Sequence, residues 1–264
     1  MHMASMVDRP AAPRLRRPSK ARADALLHAR GLAESRARAQ AYILADLVEA
    51  DGRRVEKPGQ MVSSEAVLTV RGADHPWVSR GGLKLDHGLV HFGIDPSGLV
   101  CLDIGASTGG FTDVLLARGA ARVHAVDVGH GQFAWKLRQD SRVVVMERTN
   151  ARHLTRAELP QPPNLVVCDA SFIGLEIVLP AALALAAPCA YLVALVKPQF
   201  EVGRARVGKG GVVRDPALHA EVVARIEGWL RATMGWEVLG ATESPITGPE
   251  GNKEFLVAAR KGLG

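Results

Sequence analysis

Residues 100–115 read VCLDIGASTGGFTDVL. Three apolar residues, Val100 to Leu102, lead to Asp103, a turn follows that holds Gly105, Gly109 and Gly110, and from Phe111 onward the apolar residues fall at helical spacing. A strand passing through a glycine-rich turn into a helix opens a parallel α/β sheet, and such sheets bind ligands at the carboxyl ends of their strands. The turn reads G-A-S-T-G-G, not the dinucleotide pattern G-x-G-x-x-G, so a pyrophosphate is not the expected ligand. Asp103 at the strand tip repels phosphate but can accept from the ammonium of a methionine moiety. A second strand, 122–127, ends in Asp127, an acid placed to take both hydroxyls of a ribose. Together these favour S-adenosylmethionine over NAD, with Ser107 and Phe111 of the turn and Asp169 further along the chain as additional cofactor-binding candidates. Packing of the strand on its helix would need one glycine; three argue for a ligand. Asn150, after the third strand, either reaches an adenine or serves only as a cap.

Outward from this unit the pattern keeps alternating. Strand-like runs lie at 100–103, 122–127, 143–147, 165–169, 190–196, 236–244 and 254–259, and helical runs at 82–91, 111–117, 132–138, 173–186 and 216–234. The apolar run 177–187 reads as part of a buried helix, too short to span a bilayer. No helix separates the last two strands, which predicts an antiparallel hairpin closing the sheet. Seven strands with that ending predict a class I (Rossmann-like) methyltransferase fold.

Cys101, Cys168 and Cys189 form no CxxC pair and read as buried, reduced thiols of a cytoplasmic protein; no metal site is expected. Residues 1–80 hold 14 Lys/Arg against 9 Asp/Glu, whereas 81–264 hold 19 against 18. The basic excess is therefore confined to the first third and points to a polyanionic partner, nucleic acid before membrane. Residues 1–5 read as a cloning remnant before Met6, within a disordered basic tail over 1–19. Residues 20–71 read as a small α/β module, 72–79 as a linker, and 80–264 as the catalytic domain. In the module, helices are predicted at 21–29 and 35–45, with Ser35 as N-cap, and strands at 47–49, 53–55 and 66–70 around the Asp51-Gly52 and Pro58-Gly59 turns.

The run RADALLHARGLAESRARAQAYILADLVEADGRRVEKPGQMV, from Arg22 on, resembles the RNA-binding module of a small-subunit ribosomal protein, many pseudouridine synthases and tyrosyl-tRNA synthetases. That resemblance makes Arg22, Arg36, Arg38, Arg53 and Lys57 candidates for phosphate contact, which positions RNA without reading sequence. Asp46 stands where the family usually has glycine, a position that aspartate tolerates better than most residues.

A second constellation is scattered along the chain but falls at one edge of the predicted sheet. Asp169 ends the fourth strand (VVCDASF), Lys197 ends the fifth (LVALVKPQF), Glu254 begins the last (GNKEFLV), and Lys84 lies on the helix before the first (SRGGLKLDHG). With these segments and GKGGVVRD, the chain over residues 20–260 resembles the TlyA family, proteins named as hemolysins that are ribosomal RNA 2′-O-methyltransferases with an FtsJ-like domain. The resemblance implies S-adenosylmethionine as cofactor, a cytidine of small- or large-subunit ribosomal RNA as substrate, and a Lys-Asp-Lys-Glu tetrad at Lys84, Asp169, Lys197 and Glu254. Lys197 is then the expected general base, its pKa depressed by a neighbouring cation such as Lys84, with Asp169 orienting Lys197 or the ribose and Glu254 holding Lys84 or the hydroxyl.

The loop 201–215, with Arg204, Arg206 and Lys209, reads as a mobile RNA-contacting lid or a plain surface loop; Arg80 touches RNA or pairs with an acid; Trp77 stacks on a base or packs between domains. A monomer is expected. Against a membrane-active hemolysin stand the lack of a spanning run and of a signal. Against a non-catalytic ribosome-binding factor stand the intact glycine turn and all four tetrad residues. A small-molecule methyltransferase leaves the basic module unexplained, and a pseudouridine synthase leaves the glycine turn unexplained.

Overall fold

The computed structural model describes residues 19–33, 35–44, 47–70, 75–248 and 251–262. It divides into two compact units, Met1–Gly72 and Ala73–Gly264. The basic tail, Asp46 and the linker residues 72–74 lie outside the described residues.

In the first unit, helices α1 (Ala23–Ala29) and α2 (Arg36–Leu44) carry Ala23, Leu27, Ala39 and Ile43 into a core shared with Val48, Val55, Val62 and Leu68. Ser35 caps α2: its Oγ accepts from the Arg38 backbone N–H at 3.1 Å. The first helix starts later than its sequence spacing suggests. Residues Lys20–Arg22 form β1, paired antiparallel with β4 (Met61–Ser63), a ladder between residues too distant in sequence for local patterning to reveal. Strands β2 (Val48–Ala50) and β3 (Arg53–Arg54) join through Asp51 and Gly52, both at positive φ, as a two-residue hairpin requires, and β5 (Leu68–Val70) pairs on the other side of β2.

The second unit is a three-layer α/β/α domain. Five parallel strands, β6 (Val100–Ile104), β7 (Arg122–Val126), β8 (Val143–Met146), β9 (Leu165–Cys168) and β10 (Ala190–Val196), carry the antiparallel pair β11 (Glu237–Glu243) and β12 (Phe255–Lys261) at one side, in the order β11-β12-β10-β9-β6-β7-β8. Strands buried on both faces need apolar residues at every position, and alternate residues supply different layers. Leu165 and Val167 of β9 join the core under α3 (Gly81–Phe92) and α4 (Gly110–Ala117); Val166 and Cys168 join the core under α7 (Pro180–Leu185) and α9 (Pro216–Ala232).

Two expectations need correction. The single helix expected at 173–186 is two, α6 (Leu175–Val178) and α7, because Pro180 opens the second: proline lacks the N–H and its ring clashes with the preceding turn. Ile177 on α6 is 57% exposed, so the run is not a wholly buried helix. Cys101 and Cys168 are buried, but Cys189 is exposed, with its Sγ 2.9 Å from the Gly262 carbonyl. The short α5 (Trp135–Arg138) and α8 (Pro198–Glu201) complete the helices named here. Among the described residues no helix is long and apolar enough to cross a membrane.

Leu165 is fully buried in the central strand β9. Leu165→Ala is expected to lower unfolding free energy by about 2–5 kcal/mol, read in urea as a lower midpoint with an unchanged slope.

Candidate active site

A cavity of about 830 Å³ opens at the carboxyl ends of β6, β7 and β9. This is the switch point of the sheet, where the chain leaves β6 for β7 on one side and β9 lies on the other. Gly105, with φ of +79°, turns the chain out of β6; a Cβ there would lie 2.9 Å from the Asp169 carbonyl oxygen, so the end of β9 closes on it. Asp127, after β7, is held by two backbone donors: Ser107 N–H at 2.8 Å on Oδ2 and Gly129 N–H at 2.7 Å on Oδ1. Each oxygen keeps a lone pair for a further donor.

Asp103 is fully buried behind the turn. Its Oδ2 accepts from Thr112 Oγ1 at 2.7 Å, and Oδ1 has no hydrogen-bond partner among the described residues. Burial pushes its carboxyl up to about 7, against the Thr112 hydrogen bond, which favours ionisation. A buried, unpaired carboxylate oxygen fits a cationic donor, and Asp127 fits a diol. Of the two, Asp127 stands at the cavity wall and Asp103 does not.

Beside this cavity stand two lysine–carboxylate pairs. Lys84 Nζ, on α3, donates to Glu254 Oε2 at 2.5 Å, with both side chains buried. Lys197 Nζ lies 2.5 Å from Asp169 Oδ1 and donates to Ser171 Oγ at 2.9 Å and to the Asp169 carbonyl at 3.3 Å. The register of β12 on β10 puts Phe255 opposite Val196, so Glu254 and Lys197, one residue further along each, meet at the same sheet edge. Glu254 Oε1 is buried without a hydrogen-bond partner among the described residues, packed so tightly on Gly248 that a Cβ there would strike it.

Gly105, Ser107, Asp127, Asn150 and Asp169 line the cavity; Asp103, Gly109, Gly110 and Phe111 do not and sit buried behind it. The glycine count argued for a ligand, yet each of the three has an internal reason. A Cβ on Gly110 would meet Ser79 Oγ, one on Gly109 would meet Leu137, and Gly105 abuts β9. Asn150 does serve as a cap, its Oδ1 accepting from Arg152 N at 3.1 Å, and it also faces the cavity. Trp77 packs within the second unit, pressed against Gly82 at the start of α3.

The loop after α8 is tied rather than free-standing. Glu201 accepts from Leu175 N and Arg225, and Asn252 bridges Val213 N and the Gly211 carbonyl. Arg206 forms a two-point pair with Glu221, while Arg204, Lys209 and Arg80 are exposed. In the first unit Arg22 and Arg36 bind Asp24, Arg38 lies over the Tyr42 ring at 4.9 Å, and Arg53 and Lys57 are exposed.

Sequence reasoning missed the cavity's apolar rim. Val128, Phe172 and Ile177 are each more than half exposed and all line it. Phe172, 89% exposed at φ of +66°, tilts against Phe200 with ring centroids 5.0 Å apart. Exposed apolar groups gathered at one mouth mark a binding surface. The signal was present in DASF, where an aromatic follows the strand end, but its outward aim was not legible.

Two known family models match this chain. The FtsJ-like methyltransferase model matches residues 77–261, and the S4 domain model matches residues 21–68. The chain belongs to the FtsJ-like methyltransferase family. It is 51% identical over 242 residues to the 16S/23S rRNA (cytidine-2′-O)-methyltransferase TlyA of Mycobacterium tuberculosis, covering 91% of this chain and 90% of that protein. It is 39% identical over 237 residues to hemolysin A of Brachyspira hyodysenteriae, covering 89% and 98%. A solved structure described as a hemolysin from Streptococcus thermophilus superposes with a TM-score of 0.74 at 42% identity, covering 93% and 89%. The FtsJ-like fold implies S-adenosylmethionine as methyl donor.

The position of Asp103 has a pH signature. Its carboxyl stays protonated in the fold up to about 7, whereas an unfolded aspartate ionises near pH 4. The stability tied to the protonated form is therefore full below about pH 4 and lost as pH rises to 7. Asp103→Asn should raise the melting temperature of the ligand-free protein more at pH 8 than at pH 5. A difference that does not vary between these two pH values would mean that the Asp103 carboxyl does not titrate between them.

Proposed function

We propose that this chain transfers a methyl group from S-adenosylmethionine to the 2′-hydroxyl of a cytidine in 16S or 23S ribosomal RNA. The observation that carries the reading is Asp169, which belongs to the cavity wall and to the Lys197 pair at once, so a group bound in the cavity and a group bound at the lysines meet there. The likeness to a curated rRNA (cytidine-2′-O)-methyltransferase and the S4 domain supply the substrate class.

In this reading Asp127 takes the cofactor's ribose hydroxyls and Asn150 its adenine, while Asp103 stays behind the cavity wall. The cofactor supplies a methyl group already activated by the sulfonium, so much of the rate comes from holding the nucleophile in line. A ribose hydroxyl must shed its proton as it attacks. Lys197 acts as the neutral amine, having first given one Nζ proton to solvent; its free lone pair then takes the hydroxyl proton in place of the contact with Ser171, and Asp169 fixes its direction. The Lys84–Glu254 pair positions the ribose from the other side. In the resting site each lysine is matched by a carboxylate, which offsets the cost of burying its charge. The first unit contacts ribosomal RNA phosphates through Arg22, Arg36, Arg38, Arg53 and Lys57, and the second unit does so through Arg80, Arg204, Arg206 and Lys209.

The test incubates the protein with tritiated S-adenosylmethionine and separated, unmodified small and large ribosomal subunits, then maps ribose methylation. Label on a cytidine 2′-oxygen is expected, with Lys197→Ala lowering turnover at least about a thousandfold while cofactor affinity stays near wild type. Retained turnover in that variant would remove Lys197 as the base.

A further inference from the structure

The first unit buries one carboxylate completely. Asp24, in the first turn of α1, has no exposed surface, and its two oxygens accept from five donors. Oδ1 takes the Ala25 backbone N–H at 2.8 Å and Arg22 Nε at 3.0 Å. Oδ2 takes Arg22 Nη2 at 3.0 Å, Arg36 Nη2 at 3.2 Å and Gln40 Nε2 at 3.0 Å. Arg22 ends β1, whereas Arg36 and Gln40 lie one turn apart on α2, so this group ties β1, α1 and α2 together. The hydrogen bond from Arg22 holds the carboxyl well below the usual carboxylate range, outweighing burial.

Both arginines remain half exposed, at 48% and 54% of their side chains. Arg22 is walled on its other side by the Pro58–Gly59 turn: a Cβ on Gly59 would stand 3.0 Å from Arg22 Nη1, and the turn is fastened by the Asp24 N–H to the Pro58 carbonyl at 3.1 Å. Two guanidinium groups from different elements are thus fixed side by side, with donors left over for solvent. A guanidinium has five N–H donors in a rigid fork, and Asp24 occupies two from Arg22 and one from Arg36.

Charge alone makes Asp24 a liability on a surface that binds a polyanion, since it cancels one of the cations around it. Ordering two long arginines at the moment of binding is costly, and a surface that fixes them beforehand binds more tightly. We infer that Asp24 is a positioning residue for RNA: it locks Arg22 and Arg36 into one preformed cleft for a backbone phosphate. The inference rests on the reading of the chain as an RNA-modifying enzyme.

The test uses the full chain and the unmodified ribosomal subunits, reading subunit binding by sedimentation beside KM and kcat for methylation. Asp24→Asn adds one positive charge, so simple attraction predicts equal or tighter binding. The expected result is the opposite: subunit Kd and KM rise about tenfold, the worth of one charge-assisted contact, while kcat and cofactor affinity stay unchanged. In an Arg22→Ala, Arg36→Ala background, Asp24→Asn should add less than about twofold, because the groups it holds are gone; a residue needed only for folding would add its full effect there. If the Asn variant's first unit melts below assay temperature, the deciding variant is Arg22→Lys with Arg36→Lys. It keeps both charges without the planar fork and should lose about tenfold as well. Unchanged or tighter binding by folded Asp24→Asn, full additivity in the double-arginine background, or wild-type binding by the lysine variant would each overturn the inference. Failure of the functional reading looks different: wild type itself would methylate neither subunit, and the sedimentation arm would still decide the role of Asp24.

Discussion

The antiparallel insertion of β12 between β10 and β11 is the constraint on which the catalytic edge depends. Five parallel strands deliver Asp103, Asp127, Asp169 and Lys197 to their carboxyl ends by simple alternation. A sixth parallel strand would deliver its first residue to the opposite edge. Because β12 runs the other way, the residue before its start, Glu254, arrives beside Lys197 and within 2.5 Å of Lys84 on α3. The pairing of Phe255 with Val196 sets this to the residue, since a one-residue slip would reverse every side chain on the strand.

The two units handle buried charge in contrasting ways. Asp24 is saturated with donors, so its carboxylate stays ionised and fixes three elements. Asp103 is given only Thr112 and is left with a spare oxygen in an apolar setting, which holds its proton until about 7. The first arrangement rigidifies; the second leaves a site whose charge state responds to whatever binds next to it. The Lys84–Glu254 pair lies between: one carboxylate oxygen is matched and the other is not. Buried polar oxygens are nearly always paired, so Asp103 Oδ1 and Glu254 Oε1, which lack partners among the described residues, stand out as exceptions.

Much of this was legible beforehand for identifiable reasons. The apolar runs of β6, β9 and β10, the first interrupted at Asp103 and the others followed by Asp169 and Lys197, announce buried parallel strands ending at one edge, and their residue bounds differ from the sequence reading by one position at most. Ser35 as a cap and Asp51-Gly52 as a turn are local signals, read within four residues. What escaped was non-local. Strands β1 and β4 are three residues each and exist only because they pair with each other. The break at Pro180 was visible in the sequence but masked by an alanine-rich run with helical composition.

The sequence by itself determined the strand–turn–helix unit at Asp103, the alternating sheet, the basic module and the residue types gathered at the carboxyl edge, because these follow from local periodicity and chain direction. Only the tertiary structure decided which partners those residues take. Lys84 chose Glu254, 170 positions away, Asp24 gathered Arg22, Arg36 and Gln40, and Phe172 turned outward to the cavity mouth. Hydrogen bonds and ion pairs act over a few ångströms in space with no regard for sequence separation, so no periodicity in the chain can encode them.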